Sequence, residues 1–223
     1  GRIDGVFVNA AGTGPTAPVV RVPPGRNSKL KRFTGREEYP GSPGVKVDDW
    51  KATFDSNLLA AQLLVREALP YMKDQGEGWI LFNASFFGGH RSYPLRGPYA
   101  TAKRSLIELS KLLAFDLAPH GIRVNTIAPG PVWGTRLKGT NEYRPKLYVK
   151  RAEGYWQIGV SVSPDYIEAK TLSEIPDGRM PTEAEIAWSM AMLTADPAFN
   201  GQTWYTAKGL RFEQEPPETW ALG

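Results

Sequence analysis

"GPYATAKRSLIELSKLLAFDLAPHGIRVNTIAP", Gly97 to Pro129, is the stretch that decides the fold. Its first part predicts a long helix over about Pro98–Pro119. Leu106, Leu109, Leu113 and Leu117 recur at three- and four-residue spacing and share one face. Pro119 and Gly121 end the helix. "IRVNTIAP" then predicts a strand, apolar enough to be buried on both sides.

The same alternation continues in both directions. Upstream, "WILFNASFFGG" (Trp79–Gly89) predicts a buried strand over Trp79–Ala84 that runs into a small-residue turn. Before it, a helix is expected from about Asp48 to Asp74, with Leu58, Leu59, Leu63, Leu64 and Ala68 giving it a broad buried face. "GVFVNA", Gly5 to Ala10, predicts another short buried strand. Residues 13–47 are rich in proline, glycine and basic side chains, lack periodicity, and are expected to form a long loop. Downstream, residues 131–176 are irregular and aromatic. A last helix is expected from "MPTEAEIAWSMAML", where Thr182 and Glu185 have capping-box spacing, and "QTWYTA" predicts a closing strand.

Strands alternating with long helices imply parallel strands with right-handed crossovers, the α/β class. The 223 residues suit a single domain spanning 1–223. In open sheets of this kind ligands bind at the carboxyl ends of the strands. Those ends are Asn9–Gly12, Ala84–Gly89 and Ala128–Val132, which should therefore meet at one site.

Composition narrows the function. No apolar run approaches the roughly 18 residues of a membrane span, so no membrane role is expected. With no cysteine and only His90 and His120, thiolate and histidine-rich metal sites are excluded and no metal is expected. The lack of disulfides fits a cytoplasmic setting. The net charge of +4 owes much to "RVPPGRNSKLKRF", read as a solvated basic loop. No aromatic stacking pattern or zinc-finger spacing points to nucleic acid.

Tyr99 and Lys103 are four apart near a helix start and share a face. An ammonium beside a phenol stabilises the phenolate and lowers the phenol's pKa. Such a phenol can pass a proton to or from an alcohol or carbonyl. Alone, the pair is a weak signal.

Its context is stronger. "DGVFVNAAG" resembles the Asn-Asn-Ala-Gly strand end of the short-chain dehydrogenase/reductase family, with Ala10 replacing the second asparagine. "FDSNLLAA" places Asn57 where that family keeps a helix asparagine, and "YATAK" matches its Tyr-x-x-x-Lys. "RVNTIAPGPVWGT" is similar to its strand and Pro-Gly turn, while "GRMPTEAEIA" and "NGQTWYTAKG" resemble its closing helix and strand.

The resemblance implies a Rossmann-like, doubly wound parallel sheet in a three-layer α/β/α arrangement. It implies hydride transfer between NAD or NADP and a small-molecule secondary alcohol or ketone. Tyr99 would be the general acid/base, Lys103 would bind the nicotinamide ribose, and Asn57 would anchor a water between Lys103 and solvent. Asn9, Ala10, Ala11 and Gly12 would lie near the adenine ribose. Pro129, Gly130, Pro131 and Val132 would lie beside the nicotinamide. The two long helices would join a homodimer or homotetramer, and residues 131–176 would cover the substrate.

Two departures stand out. The family's catalytic serine follows Asn-x-Ser, but aligning Asn83 and Tyr99 without a gap puts Phe86 there and Ser85 one residue early. Either a local bulge brings Ser85 into place, or another group polarises the substrate, or the scaffold does non-redox work (dehydratase, isomerase, cyclase) or is catalytically silent. Phe86, Phe87 and Trp133 suggest an apolar or aromatic substrate. The family's glycine-rich phosphate turn is also absent, and "GRIDG" matches a point well inside a member's chain, so the family's first strands are expected to precede Gly1.

Overall fold

The computed structural model describes residues 1–12, 14–15, 19–21, 25–26, 38–39, 43–90, 96–132 and 178–206. Four strands form one sheet in the order β1 (Gly5–Val8), β4 (Gly78–Asn83), β5 (Ile122–Pro129) and β6 (Thr203–Thr206), every pair parallel. Two short strands, β2 (Gly25–Arg26) and β3 (Glu38–Tyr39), pair antiparallel inside the segment expected to be loop. Two-residue strands carry no period that a sequence could reveal.

The sheet is apolar on both faces, as a parallel sheet flanked by helices requires. Because side chains alternate along a strand, β4 sends Ile80 and Phe82 one way and Leu81 the other. Ile80 and Phe82 join Val6, Val8, Val124 and Ala128 under two helical runs, contributing Val65 and Met72 from one and Leu106 and Leu117 from the other. Leu81 and Ile127 meet Ile186 and Leu193 of the closing helix, Glu183–Ala195, on the opposite face. This is the three-layer α/β/α arrangement.

The first helical run covers Val47–Phe54, a π-helical turn Asp55–Leu59, and Ala60–Gln75. Of the face expected to be buried, Ala68 is buried and Leu58 partly so, but Leu59, Leu63 and Leu64 are exposed, because the inward stripe runs through Ala61, Val65, Ala68 and Met72 and leaves those leucines outside it. The second is Gly97–Leu117. Gly76 ends the first in the left-handed conformation, and Gly121 follows the second at φ 69°. The two turns abut: a Cβ on Gly121 would run into the carbonyl of Gly76, so glycine is required there for space as well as for φ. At the closing helix, Thr182 accepts from the Glu185 amide while Glu185 reaches back to the Thr182 amide, the expected capping box.

Arg123 and Asn125 of β5 fasten the end of the closing helix and the turn that follows it to the sheet. Arg123 donates to the carbonyls of Thr194, Asp196 and Phe199, satisfying acceptors at the end of the closing helix. Asn125 donates to Leu193 and Phe199 and accepts from the Gln202 amide. No described helix is long and apolar enough to cross a membrane.

Candidate active site

The carboxyl ends of β1, β4 and β5 bring the site together. β4 pairs with β5 without interruption from Gly78↔Ile122 to Asn83↔Ile127, and the Ala84 amide still donates to Ile127. The paired part of β4 therefore carries no bulge. The chain leaves the sheet at Ser85, which is extended at φ −161° and caps a one-turn helical segment, Phe86–Gly89. Its Oγ accepts from the Phe87 amide at 3.2 Å.

Phe86 follows and is buried. Its ring lies 5.2 Å from that of His90 and 6.4 Å, edge-on, from that of Tyr205 on β6. Phe87 stands edge-on to Phe86 at 5.7 Å. The phenyl ring at the family's serine position thus packs in an aromatic cluster with β6.

Tyr99 and Lys103 share a face in the first turns of the Gly97–Leu117 helix. Lys103 is only 3% exposed, and its Nζ lies 5.8 Å from the Tyr99 ring centroid. The ammonium donates to the Asn83 carbonyl at 2.7 Å, so a buried charge is anchored to the end of β4. The Asn83 side chain reaches the other way, donating to Asn9 Oδ1 at 2.5 Å and tying the ends of β1 and β4.

Asn57 is fully buried within the π-helical turn. Its Nδ2 donates to the carbonyls of Gly12 and Thr53, both at 2.8 Å, and so holds the end of the β1 segment against the first helical run. Its Oδ1 finds no partner, as a buried polar atom turned to an ordered water or ligand would. Gly12 lies so close to that helix that a Cβ would come within 2.9 Å of Ser56 Oγ. π-helical turns inside α-helices are frequent at functional sites.

The structure thus places Asn9, Gly12, Asn57, Ser85, Tyr99 and Lys103 on the elements that converge at these strand ends. Ala10 and Ala11 continue β1, and Pro129 to Val132 leave β5 in the same direction. The Gly130 amide reaches the Thr206 carbonyl at 3.4 Å. Trp133 and the rest of the 131–176 segment beyond Val132 lie outside the described residues. Sequence alone did not single out Asn83 as a hub, although its place at the strand end two residues before Ser85 was a usable signal. Nor did it single out Thr53 and Ser56, which brace the Asn57 turn.

A family model described as enoyl-(acyl carrier protein) reductase matches residues 42–211. An uncharacterized oxidoreductase of Thermotoga maritima is 28% identical over 174 residues, covering 78% of this chain and 62% of that protein. Levodione reductase of Leifsonia aquatica is 29% identical over 199 residues, covering 89% of this chain and 60% of that protein. The chain therefore spans about three-fifths of these relatives. Among solved structures, an NAD+-bound xylitol dehydrogenase is similar with a TM-score of 0.69 at 24% identity, covering 93% of this chain and 69% of the other. With the Tyr-x-x-x-Lys helix, the asparagine turn and the Pro-Gly strand end all at one sheet edge, the chain belongs to the short-chain dehydrogenase/reductase family.

Proposed function

We propose that this chain carries the catalytic part of an NAD(P)-dependent oxidoreductase that interconverts a small secondary alcohol and its ketone, with Tyr99 as general acid/base. The observation that carries the reading is the buried Lys103 ammonium, 5.8 Å from the Tyr99 ring and anchored to the end of β4.

The residues suit the nicotinamide-ribose end of a dinucleotide. Lys103 supplies hydrogen-bond donors for ribose hydroxyls, Gly12 allows close approach of the β1 end, and the unpartnered Asn57 Oδ1 can hold a water. Pro129, Gly130, Pro131 and Val132 would hold the nicotinamide side of a bound dinucleotide, and Asn9, Ala10, Ala11 and Gly12 its adenine ribose. A bound nicotinamide supplies or accepts the hydride. The chain's own residues handle the proton: Tyr99 gives it to the developing alkoxide or takes it from the alcohol. Water held at Asn57 links Lys103 to solvent. Ser85, with its oxygen already accepting from Phe87, has its own proton to offer the substrate oxygen.

NAD(P) use is supported by the NAD+-bound xylitol dehydrogenase neighbour. Phe87 lies at the edge of the aromatic cluster and would favour an apolar or aromatic substrate. The two long helical runs leave Leu59, Leu64, Leu112 and Phe115 exposed, Phe115 by 83%, which supports a homodimer or homotetramer joined through them. A cysteine-free chain suits the cytoplasm.

Phe86 favours a second reading, in which the same scaffold moves a proton without a hydride. The test mixes the complete protein with NAD(H) and NADP(H) and a panel of alcohols and ketones. Absorbance change at the nicotinamide band is expected with one cofactor. Calorimetric binding of neither cofactor would favour the non-redox reading.

A further inference from the structure

We propose that Arg104 is a positioning residue that pins the Ser85–Gly89 turn to the helix carrying Tyr99 and Lys103. Two consecutive cations hold the two ends of one short segment. Lys103 Nζ donates to the Asn83 carbonyl, and Arg104 Nη1 donates to the Gly89 carbonyl. Ser85 and Phe86 lie between these anchors.

Independent contacts place the same turn against the same helix. Gly88 has φ +119°, and a methyl there would run into the Ala100 carbonyl, so backbone lies directly on backbone. A Cβ on Gly89 would come within 2.7 Å of Ile107 Cδ1. Ala100, Arg104 and Ile107 stand at i, i+4 and i+7 and form one stripe, next to the stripe of Tyr99 and Lys103.

Within the turn, the Gly89 amide donates to the Ser85 carbonyl at 3.1 Å and the His90 amide to the Phe86 carbonyl at 3.1 Å. Arg104 therefore grips the Gly89–His90 peptide, whose N–H is already bonded back to the Phe86 carbonyl. A guanidinium bonds a carbonyl more strongly than a neutral donor does. The turn's helical geometry is broken at Phe87 and Gly88. Releasing the Gly89 end lets Ser85 drift relative to the phenol while leaving the phenol in place.

The kinetic part rests on the oxidoreductase reading; the exchange part does not. The complete protein would be compared with Arg104→Ala and Arg104→Lys. Hydrogen–deuterium exchange should speed up at the Gly89 and His90 amides in Arg104→Ala, by roughly tenfold or more, with β4 and β5 unchanged. Turnover should fall by about tenfold at unchanged cofactor KM, since the turn faces substrate, and Arg104→Lys should restore most of both. Unchanged exchange at Gly89 and His90 overturns the pin. Faster exchange with unchanged turnover overturns the positioning role. If the parent protein turns over no alcohol or ketone, the oxidoreductase reading fails, and the exchange comparison still decides the pin.

Discussion

Lys103 sits between two partners: its Nζ bonds the Asn83 carbonyl at 2.7 Å and lies 5.8 Å from the Tyr99 ring. The first contact fixes the ammonium to the sheet, and the second places it beside the phenol. A buried cation is costly for stability.

Lys103→Met separates those two effects. The thioether fills the same volume without a charge to bury, so thermal stability should hold or rise. Turnover should fall by two or more powers of ten, with weaker cofactor binding. Melting curves beside steady-state kinetics check both; a destabilised variant with normal turnover would show a purely structural lysine.

Ser85 and Phe86 should respond in opposite ways. Ser85→Ala should lower turnover by roughly a hundredfold, the usual cost of losing an oxyanion donor, and lower stability by only about 0.5–2 kcal/mol through the lost cap on the Phe87 amide. Phe86→Ala should leave a cavity beside His90 and Tyr205 and cost about 3–5 kcal/mol in denaturant unfolding. Equal turnover in Ser85→Ala and the parent would remove the serine from the mechanism.

Asn57→Ala removes the donor that holds Gly12 and Thr53. Taking this donor from the Gly12 carbonyl should cost about 1–3 kcal/mol, measured by urea unfolding. Exchange should quicken at the β1 end, where Asn57 ties the Gly12 carbonyl to the helix.

Exposed apolar side chains on the two long helical runs should mark the subunit contact. Phe115→Glu combined with Leu112→Glu should shift the complete protein to a smaller species in sedimentation velocity, with its circular dichroism unchanged, because both side chains lie on the outer surface. No change in sedimentation would place the contact elsewhere.

Much of this molecule was legible in its residues because the signals are local. Leucine spacing, a Pro-Gly stop and a Thr182–Glu185 cap act within a few residues, so Gly97–Leu117, Ile122–Pro129 and Glu183–Ala195 lie close to where periodicity puts them. The four-residue step from Tyr99 to Lys103 fixes their shared face for the same reason. Only the tertiary structure decided what those groups touch. The bonds Lys103–Asn83, Arg104–Gly89, Asn57–Gly12 and Asn83–Asn9 join positions 20, 15, 45 and 74 residues apart. Such contacts depend on sheet register and on how helices settle over it, which no local pattern encodes. The direction of Phe86, toward Tyr205 on a strand more than a hundred residues later, was decided in the same way.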